Sequence, residues 1–433
     1  MNTRHRIIAT ATVLAASSAL AGVAHAQAFY LQEQAARGAG RAFSGETADT
    51  GAASLWWNPA AIAGIERAEA TVSASVILPK GDVVDNGTVI RRPGGTFAPV
   101  GGSSTSRDPI NKGVLPSGAV AVPLGDRLAV GLAVTSPYSF TTDYSSDSWA
   151  RYSADRTYLR TFDIQPSVAV AVTDWLRVGG AANVEHVDAS LGNALPNLSA
   201  TLPDGNQTLK GDGWDVGWSA GFQMHNDWAT VGVSYKSAIK HNLKGDLTVS
   251  GLLGSLERQN RVLNGVEATF YTPAQIMVGG RFRATDRLTL NAQTIRSTWE
   301  KFDAIRLGAP INAALPENYR SIWSYAAGVD YAVSPRLTVR GGAQRTLTPT
   351  RDGERDARVP DANRWNYALG ASFDVTPHFS LDAAANYVDF ADATIDRTTA
   401  AYAGTGVQTP ILVNGRLEDA HAVVLSLGGR VRF

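Results

Sequence analysis

From residue 68 to residue 433 the hydrophobic pattern repeats every two residues, and few folds can use that pattern over so long a stretch. In the terminal segment Val423, Leu425, Leu427, Val431 and Phe433 share one face, while Ser426, Arg430 and Arg432 share the other. In 361–376, Trp365, Tyr367, Leu369, Ala371, Phe373 and Val375 oppose Asn366, Ala368, Gly370, Ser372 and Asp374. In 318–333, Trp323, Tyr325, Ala327, Val329, Tyr331 and Val333 oppose Ser324, Gly328 and Asp330. Aromatics stand at the ends of these apolar faces, where a bilayer has its two interfaces. No segment after the N-terminus offers the roughly 18 consecutive apolar residues of a spanning helix. A membrane protein built from such a chain has to be a closed barrel, because only helices and barrels satisfy every backbone group in lipid. A soluble sandwich also alternates, but its strands usually run to about five or six residues.

Six short turns divide the pattern: 125–127, 173–175, 225–227, 285–287, 334–336 and 376–378. Longer polar or Gly-rich connections fall near 80–113, 139–153, 190–212, 250–265, 304–318, 348–362 and 393–420. Between them lie fourteen expected strands: 68–79, 114–124, 128–138, 156–172, 176–190, 212–224, 228–249, 266–284, 287–303, 319–333, 336–347, 362–375, 379–392 and 421–433. Short turns on one side and long loops on the other are the asymmetry of outer-membrane barrels. The expected fold is all-β, a 14-stranded antiparallel transmembrane β-barrel whose even strand count leaves both chain ends on the periplasmic side. Phe433, closing an alternating strand, resembles the signal read by the barrel assembly machinery. The alternation turns Asp163, Arg177, Glu185, Asp215, Lys236, Arg281, Arg283, Asp330, Arg340, Asp374, Asp382, Arg430 and Arg432 toward the lumen, with both signs mixed.

The N-terminus agrees with export. Residues 1–6 are basic, 7–24 are apolar and small, and Ala24-His25-Ala26 has the form of a cleavage site, so residues 1–26 read as a signal peptide cleaved after Ala26. Without Arg4 and Arg6 the mature chain carries 37 basic and 39 acidic residues, with no excess charge that would favour nucleic acid. The absence of Cys removes disulfides, thiolate metal sites and cysteine catalysis. No G-x-S-x-G, H-E-x-x-H or P-loop occurs, and the histidines are scattered, so neither an enzyme nor a bound metal or cofactor is expected.

Residues 27–67 do not alternate. They are rich in Ala and Gly, with Leu55, Trp56 and Trp57 before Asn58-Pro59-Ala60. The segment can hang in the periplasm or fold back inside; side chains alone cannot fill a ring this wide, so the expectation is that it folds back as a plug, with residues 68–433 forming the barrel.

Three N-terminal motifs carry a resemblance. Gln27-Ala28-Phe29-Tyr30-Leu31-Gln32-Glu33 resembles the mature start of the OmpP1/FadL/TodX family of outer-membrane transporters of long-chain fatty acids and other hydrophobic compounds. Gly40-Arg41-Ala42-Phe43-Ser44-Gly45-Glu46 is similar to the family's next motif, and Asn58-Pro59-Ala60 to its N-P-A element. The resemblance implies an N-terminal hatch, an apolar groove among the outer loops, an inner pocket, and sideways release at a kinked third strand. Here that strand ends Ser136-Pro137-Tyr138; Pro137 lacks a ladder N–H, and can either break the strand or end it at the rim.

Leu195, Leu198 and Leu202 in one long loop, with Leu252, Leu253 and Leu256 in the next, form the expected outer landing site. Phe29 and Leu31 are counted with them, and Arg281, Arg283 and Arg340 are candidates to hold a carboxylate. The expected cargo is a long-chain fatty acid, taken up by passive diffusion. Aromatic or alkane hydrocarbons on the same fold are the alternative, and a polar porin or an outer-membrane enzyme are rivals of other classes. The expected setting is a monomer amid outer-membrane lipid and lipopolysaccharide.

Overall fold

A computed structural model describes residues 29–433; the expected cleavage site after Ala26, and Gln27 and Ala28, lie outside the described residues. The alternating segments form fourteen antiparallel barrel strands: β1 (Glu69–Asp85), β2 (Gly113–Pro123), β3 (Leu128–Thr135, resuming at Ser139–Asp143), β4 (Arg156–Ala171) and β5 (Leu176–Leu195). They continue through β6 (Gly205–His225), β7 (Ala229–Lys236 and Ile239–Ser250), β8 (Arg261–Thr272 and Gln275–Arg283), β9 (Leu288–Ser297) and β10 (Ile322–Ser334). β11 (Leu337–Thr346), β12 (Arg364–Thr376), β13 (Phe379–Phe390) and β14 (Thr409–Arg432) complete the set. β14 returns to β1 in register from Glu69↔Arg432 to Asp85↔Gly415, which closes the ring.

Exposure shows which face meets lipid. Leu369 and Leu427 are 71% and 70% exposed, whereas Ser426, on the opposite face of β14, is 1% exposed. Apolar residues therefore point outward, the inversion of a soluble sandwich. Trp323 and Trp365 stack on Tyr325 and Tyr367 on the outer surface, as interfacial aromatics do.

β1, β5, β6 and β8 extend outward into segments expected as loops, and the strands depart from the expected boundaries at three further kinds of place. β7 and β8 are each broken, at 237–238 and at Pro273-Ala274. The segment expected as 287–303 stops at Ser297, and a short hairpin, Ala304–Leu307 with Ala313–Pro316, comes after it. Much of 393–420, expected as loop, is strand: Ala393–Ala401 pairs with the outer half of β14.

Residues 29–64 lie against inward-facing wall positions in short helical turns, Ala36–Ala39, Glu46–Ala48, Ala52–Ser54 and Pro59–Gly64. Barrel glycines make this contact possible. A Cβ on Gly342 would stand 2.3 Å from the Arg41 carbonyl oxygen, and one on Gly232 would stand 2.0 Å from that of Thr47. On Gly179 it would meet Ala60 N at 2.5 Å, and on Gly370 the Gly40 Cα at 2.6 Å. The chain's 42 glycines are thus partly spent on letting two backbones touch.

Gly342→Val should force Arg41 and its neighbours off the wall, at an overpacking cost of about 1–3 kcal/mol. Limited proteolysis should then cut within residues 29–67 while the barrel keeps its heat-modifiable migration on gels. Full protection of the segment would contradict this seating.

Candidate functional site

The N-terminal motifs are explained by what their side chains touch. Asn58 caps the turn Pro59–Gly64: its Oδ1 accepts from the Ala60 N–H at 3.0 Å, and its Nδ2 donates to Thr47 O at 2.8 Å and Phe222 O at 3.1 Å. Pro59 stands at the first position of the turn, where no N–H is needed, and Ala60 is small because Gly179 lies beneath it. Arg41 is fully buried; it pairs with Glu46, with Asp49 at 2.6 Å and with Asp330 of β10 at 3.1 Å. Ser44 Oγ donates to Arg41 O at 2.8 Å, and Gly45 holds a left-handed φ of 72°. Gly40 is the residue against Gly370.

The same ion network takes two of the candidate carboxylate binders. Arg281 reaches Asp330 at 2.8 Å and Asp49 at 3.4 Å, and Arg340 reaches Asp330 at 3.3 Å. Arg283 is exposed near the short turns, its backbone N–H bonded to Trp228 O. None of the three lines an apolar cavity among those described.

An apolar cavity of about 680 Å³, open solvent included, lies outward of the N-terminal segment. Phe29, Phe140, Phe270 and Phe302 wall its inner end, with Leu159, Leu191, Leu243 and Ile305 around them. Phe29 packs on Phe140 at 5.7 Å, Phe302 at 5.4 Å and Trp299 at 4.9 Å between ring centroids. The charged residues on its lining are Lys210, Glu317 and Arg358. Arg358 and Glu317 also line a more polar vestibule of about 750 Å³, together with Leu195, Tyr402 and Arg397. Arg358 bonds Ser153 O through Nη2, and its buried Nε has no hydrogen-bond partner.

Of the six loop leucines, Leu195, Leu252 and Leu256 pack into one cluster with Leu198 at its edge. Leu202 and Leu253 are 37% and 40% exposed instead. The turn Gly254–Gln259 is 3₁₀, tighter than an α-helical face, so Leu253 falls outside the cluster. Leu31 is buried among Ile77, Leu115, Val388 and Val424 on the wall.

β3 is broken, not ended, at Ser136-Pro137-Tyr138, since it resumes at Ser139. Its pairing with β2 runs only from Gly118↔Val134 to Pro123↔Ala129, so Gly113 to Ser117 of β2 have no partner on that side. The N-terminal segment occupies the seam: Leu31 N–H donates to Pro137 O at 2.8 Å, and Ser139 N–H to Phe29 O at 2.9 Å. The Gln34 amide clamps Ser136, donating to its O at 3.1 Å and accepting from its N–H at 3.2 Å. Ser117 Oγ, on β2, donates to Gln34 O at 2.7 Å.

The sequence that builds this seam, cavity and fourteen-strand ring is matched over residues 17–433 by the family model for outer membrane protein transport protein (OMPP1/FadL/TodX). The chain belongs to the OMPP1/FadL/TodX family. It is an outer-membrane transport protein. Outer membrane protein P1 of Haemophilus influenzae is 25% identical over 426 residues, covering 88% of this chain and 89% of that one. The long-chain fatty acid transport protein of Escherichia coli O6:H1 is 24% identical over 419 residues, 88% and 91% of the two chains. A Pseudomonas aeruginosa FadL homologue superposes with a TM-score of 0.81 at 22% identity, over 94% of this chain and 99% of that one. The Ralstonia pickettii toluene transporter TbuX gives 0.64 at 18% identity, over 92% and 97%. Both likenesses speak for the fold of the family alone.

Two site residues carried no signal in the sequence. Arg358 and Glu317 belong to outer connections without periodicity, and only the folded loops bring them together.

Asp330→Asn should leave Arg41, Arg281 and Arg340 short of an anion; breaking a buried ion pair costs about 3–5 kcal/mol. Amide exchange over residues 38–49 should accelerate at least about tenfold while the exchange of β-strand amides stays unchanged. Equal exchange in the two proteins would remove the network from the account of how the segment is held.

Proposed function

We propose that this protein takes up long-chain fatty acids or similar amphiphiles by passive diffusion, through the vestibule and the apolar cavity, and releases them sideways at the β2–β3 seam. The observation that carries this reading is the apolar cavity with one buried, unpaired guanidinium nitrogen of Arg358 on its lining. A guanidinium with a free donor suits a carboxylate, and each methylene moved from water to the cavity contributes about 0.8 kcal/mol. A water-filled pore would forfeit that gain. The relatives named for long-chain fatty acids and for toluene bracket the cargo; Arg358 favours the acid, since toluene has no group for it to hold. The wall contacts of residues 29–64 support reading that segment as the plug, and Phe29, on the cavity lining, supports setting it at the inner end of the route. The cluster of Leu195, Leu198, Leu252 and Leu256, joined to the vestibule through Leu195, fits a first landing place.

Arg358→Met should weaken oleate binding to the detergent-solubilised protein about tenfold or more, as expected for a charge-assisted hydrogen bond, and leave octadecene binding unchanged. Equal losses for both would shift the cargo toward hydrocarbons. Glu317 adds a pH dependence: burial pushes its carboxyl up to about 7, opposed by Arg397 and Arg358 and reinforced by Asp356 and Glu354. Below that pH it is neutral; above it, an anion stands beside Arg358. Oleate affinity should therefore fall as pH rises from about 6 to 8, and Glu317→Gln should flatten the profile. Parallel profiles would refute the coupling.

Deleting residues 27–60 should open a nonspecific conductance in planar bilayers; an unchanged conductance would refute the plug.

A further inference from the structure

Below the apolar cavity lies a second, smaller chamber whose lining carries the charged side chains of Asp163, Glu185 and Lys236. The strand register fixes their relation. Leu159↔Ala189 line the upper cavity, Thr161↔Val187 come next, and Asp163↔Glu185 line the lower chamber. On the facing strands Leu243↔Ala268 are above, His241↔Phe270 between, and Ile239↔Thr272 below. One layer of inward residues therefore separates the two spaces, about 7 Å at two residues of strand. The lower chamber also touches Pro137 and Tyr138, at the break in β3.

Its polar lining is unbalanced. Asp163 and Glu185 sit directly opposite each other on neighbouring strands, an arrangement that is destabilising for like charges. The one cation on the lining, Lys236, donates to Gln165 Oε1 at 3.2 Å and stands 4.0 Å from the Trp56 ring centroid, so part of its donor capacity is already used. Asp163, Asn183 and Glu185 are 2%, 4% and 2% exposed. Asp163 Oδ1 and Asn183 Oδ1 have no hydrogen-bond partner, and Glu185 Oε1 has only His241 Nε2 at 3.4 Å, outside bonding geometry. All three atoms are acceptors. Burying acceptors without donors is costly, and a third carboxylate here would add to the repulsion.

We propose that this chamber is a second station for cargo, which receives the hydrogen-bond-donating end of an aliphatic chain, a hydroxyl or an ammonium, in preference to a carboxylate. The proposal deepens the transport reading and rests on it, because the chain has to arrive through the apolar cavity. It sorts amphiphiles by head group: acids are held at Arg358 above, and donor-ended chains pass one layer further, to the level of the β3 break.

The test compares dodecane, dodecanol, dodecylammonium and dodecanoate as ligands of the full-length protein in detergent. In the double variant Asp163→Asn, Glu185→Gln, dodecane affinity should stay as in the wild type. The preference over dodecane should fall about threefold or more for dodecanol and about tenfold or more for dodecylammonium. Unchanged preferences with intact dodecane binding would overturn the chamber alone; wild-type protein that binds none of the four would overturn the transport reading with it. A second measurement needs no variant. Anomalous diffraction from crystals soaked with 2-bromododecan-1-ol or 2-bromododecanoate locates each head group. Bromine of the alcohol should appear beside Asp163 and Glu185, and that of the acid beside Arg358; both beside Arg358 would overturn the proposal.

Discussion

In hydrocarbon a backbone N–H or C=O has no water to turn to, and leaving one unpaired costs several kcal/mol. That constraint dictates closure of β14 on β1, and it makes the exceptional places in the wall informative. Where β3 leaves β2, the missing ladder partner is replaced by the backbone of Phe29 and Leu31 and by the side-chain amide of Gln34, which offers both a donor and an acceptor as a peptide group does. A second replacement occurs between β6 and β7. Pairing lapses between Asp212↔Lys244 and Ser219↔Lys236, and the Asp215 carboxylate accepts from the Asn242 N–H and Nδ2, both at 2.9 Å. The first repair is made by a segment from elsewhere in the chain, the second by a side chain of the wall itself.

The interior follows from the same closure. A ring of fourteen strands is too wide for its own side chains to fill, and residues 29–64 lie against its inner wall. The two backbones touch where the wall residue has no Cβ to stand between them, so the glycines at 179, 232, 342 and 370 determine the depth at which the segment 29–64 sits. Arg41 then ties it to β10 through Asp330. Such buried pairs add little net stability, because desolvation offsets most of their attraction; their effect is to make one seating of the segment better than its neighbours. Arg281 and Arg340 serve that seating.

The sequence was legible wherever two media lay on either side of one strand. Lipid outside and a polar interior inside impose a period of two, and the order of the fourteen strands followed from it. Breaks were legible only where a residue announced them. Pro137 did; Pro273 was an equal signal in β8 that a continuous apolar pattern concealed, and 237–238 offers none, because a side chain there does the work of the ladder. In the outer half of β14 the alternation changes phase across the register shift at Lys80/Asp82: Ile411, Val413 and Leu417 turn inward and are buried, whereas Val423, Leu425 and Leu427 turn outward, so this half and its partner Ala393–Ala401 read as loop. Arg358 and Glu317 were out of reach for a related reason: no periodicity relates two aperiodic connections. The N-terminal motifs pointed to a plug; in the structure Asn58 and Arg41 fasten residues 29–64 to the wall, and of the side chains in that segment Phe29 alone lines the upper cavity.

Phe29 occupies both places at once: its ring walls the cavity, and its carbonyl accepts the Ser139 N–H that closes the seam. Along the proposed route, a chain that displaces the ring also strains the backbone that seals the exit. The magnitudes are comparable. Four hydrogen bonds join residues 29–34 to the broken stretch of β3, two from the backbone of Phe29 and Leu31 and two from the Gln34 amide. At a net 0.5–1.5 kcal/mol each they amount to roughly 2–6 kcal/mol. At about 0.8 kcal/mol for each methylene buried, roughly three to eight methylenes match them. A long acyl chain exceeds that range, whereas toluene, with its seven carbons, falls within it. On the proposed route the strength of the seam would therefore sort cargo by apolar length, independently of any group that recognises the head.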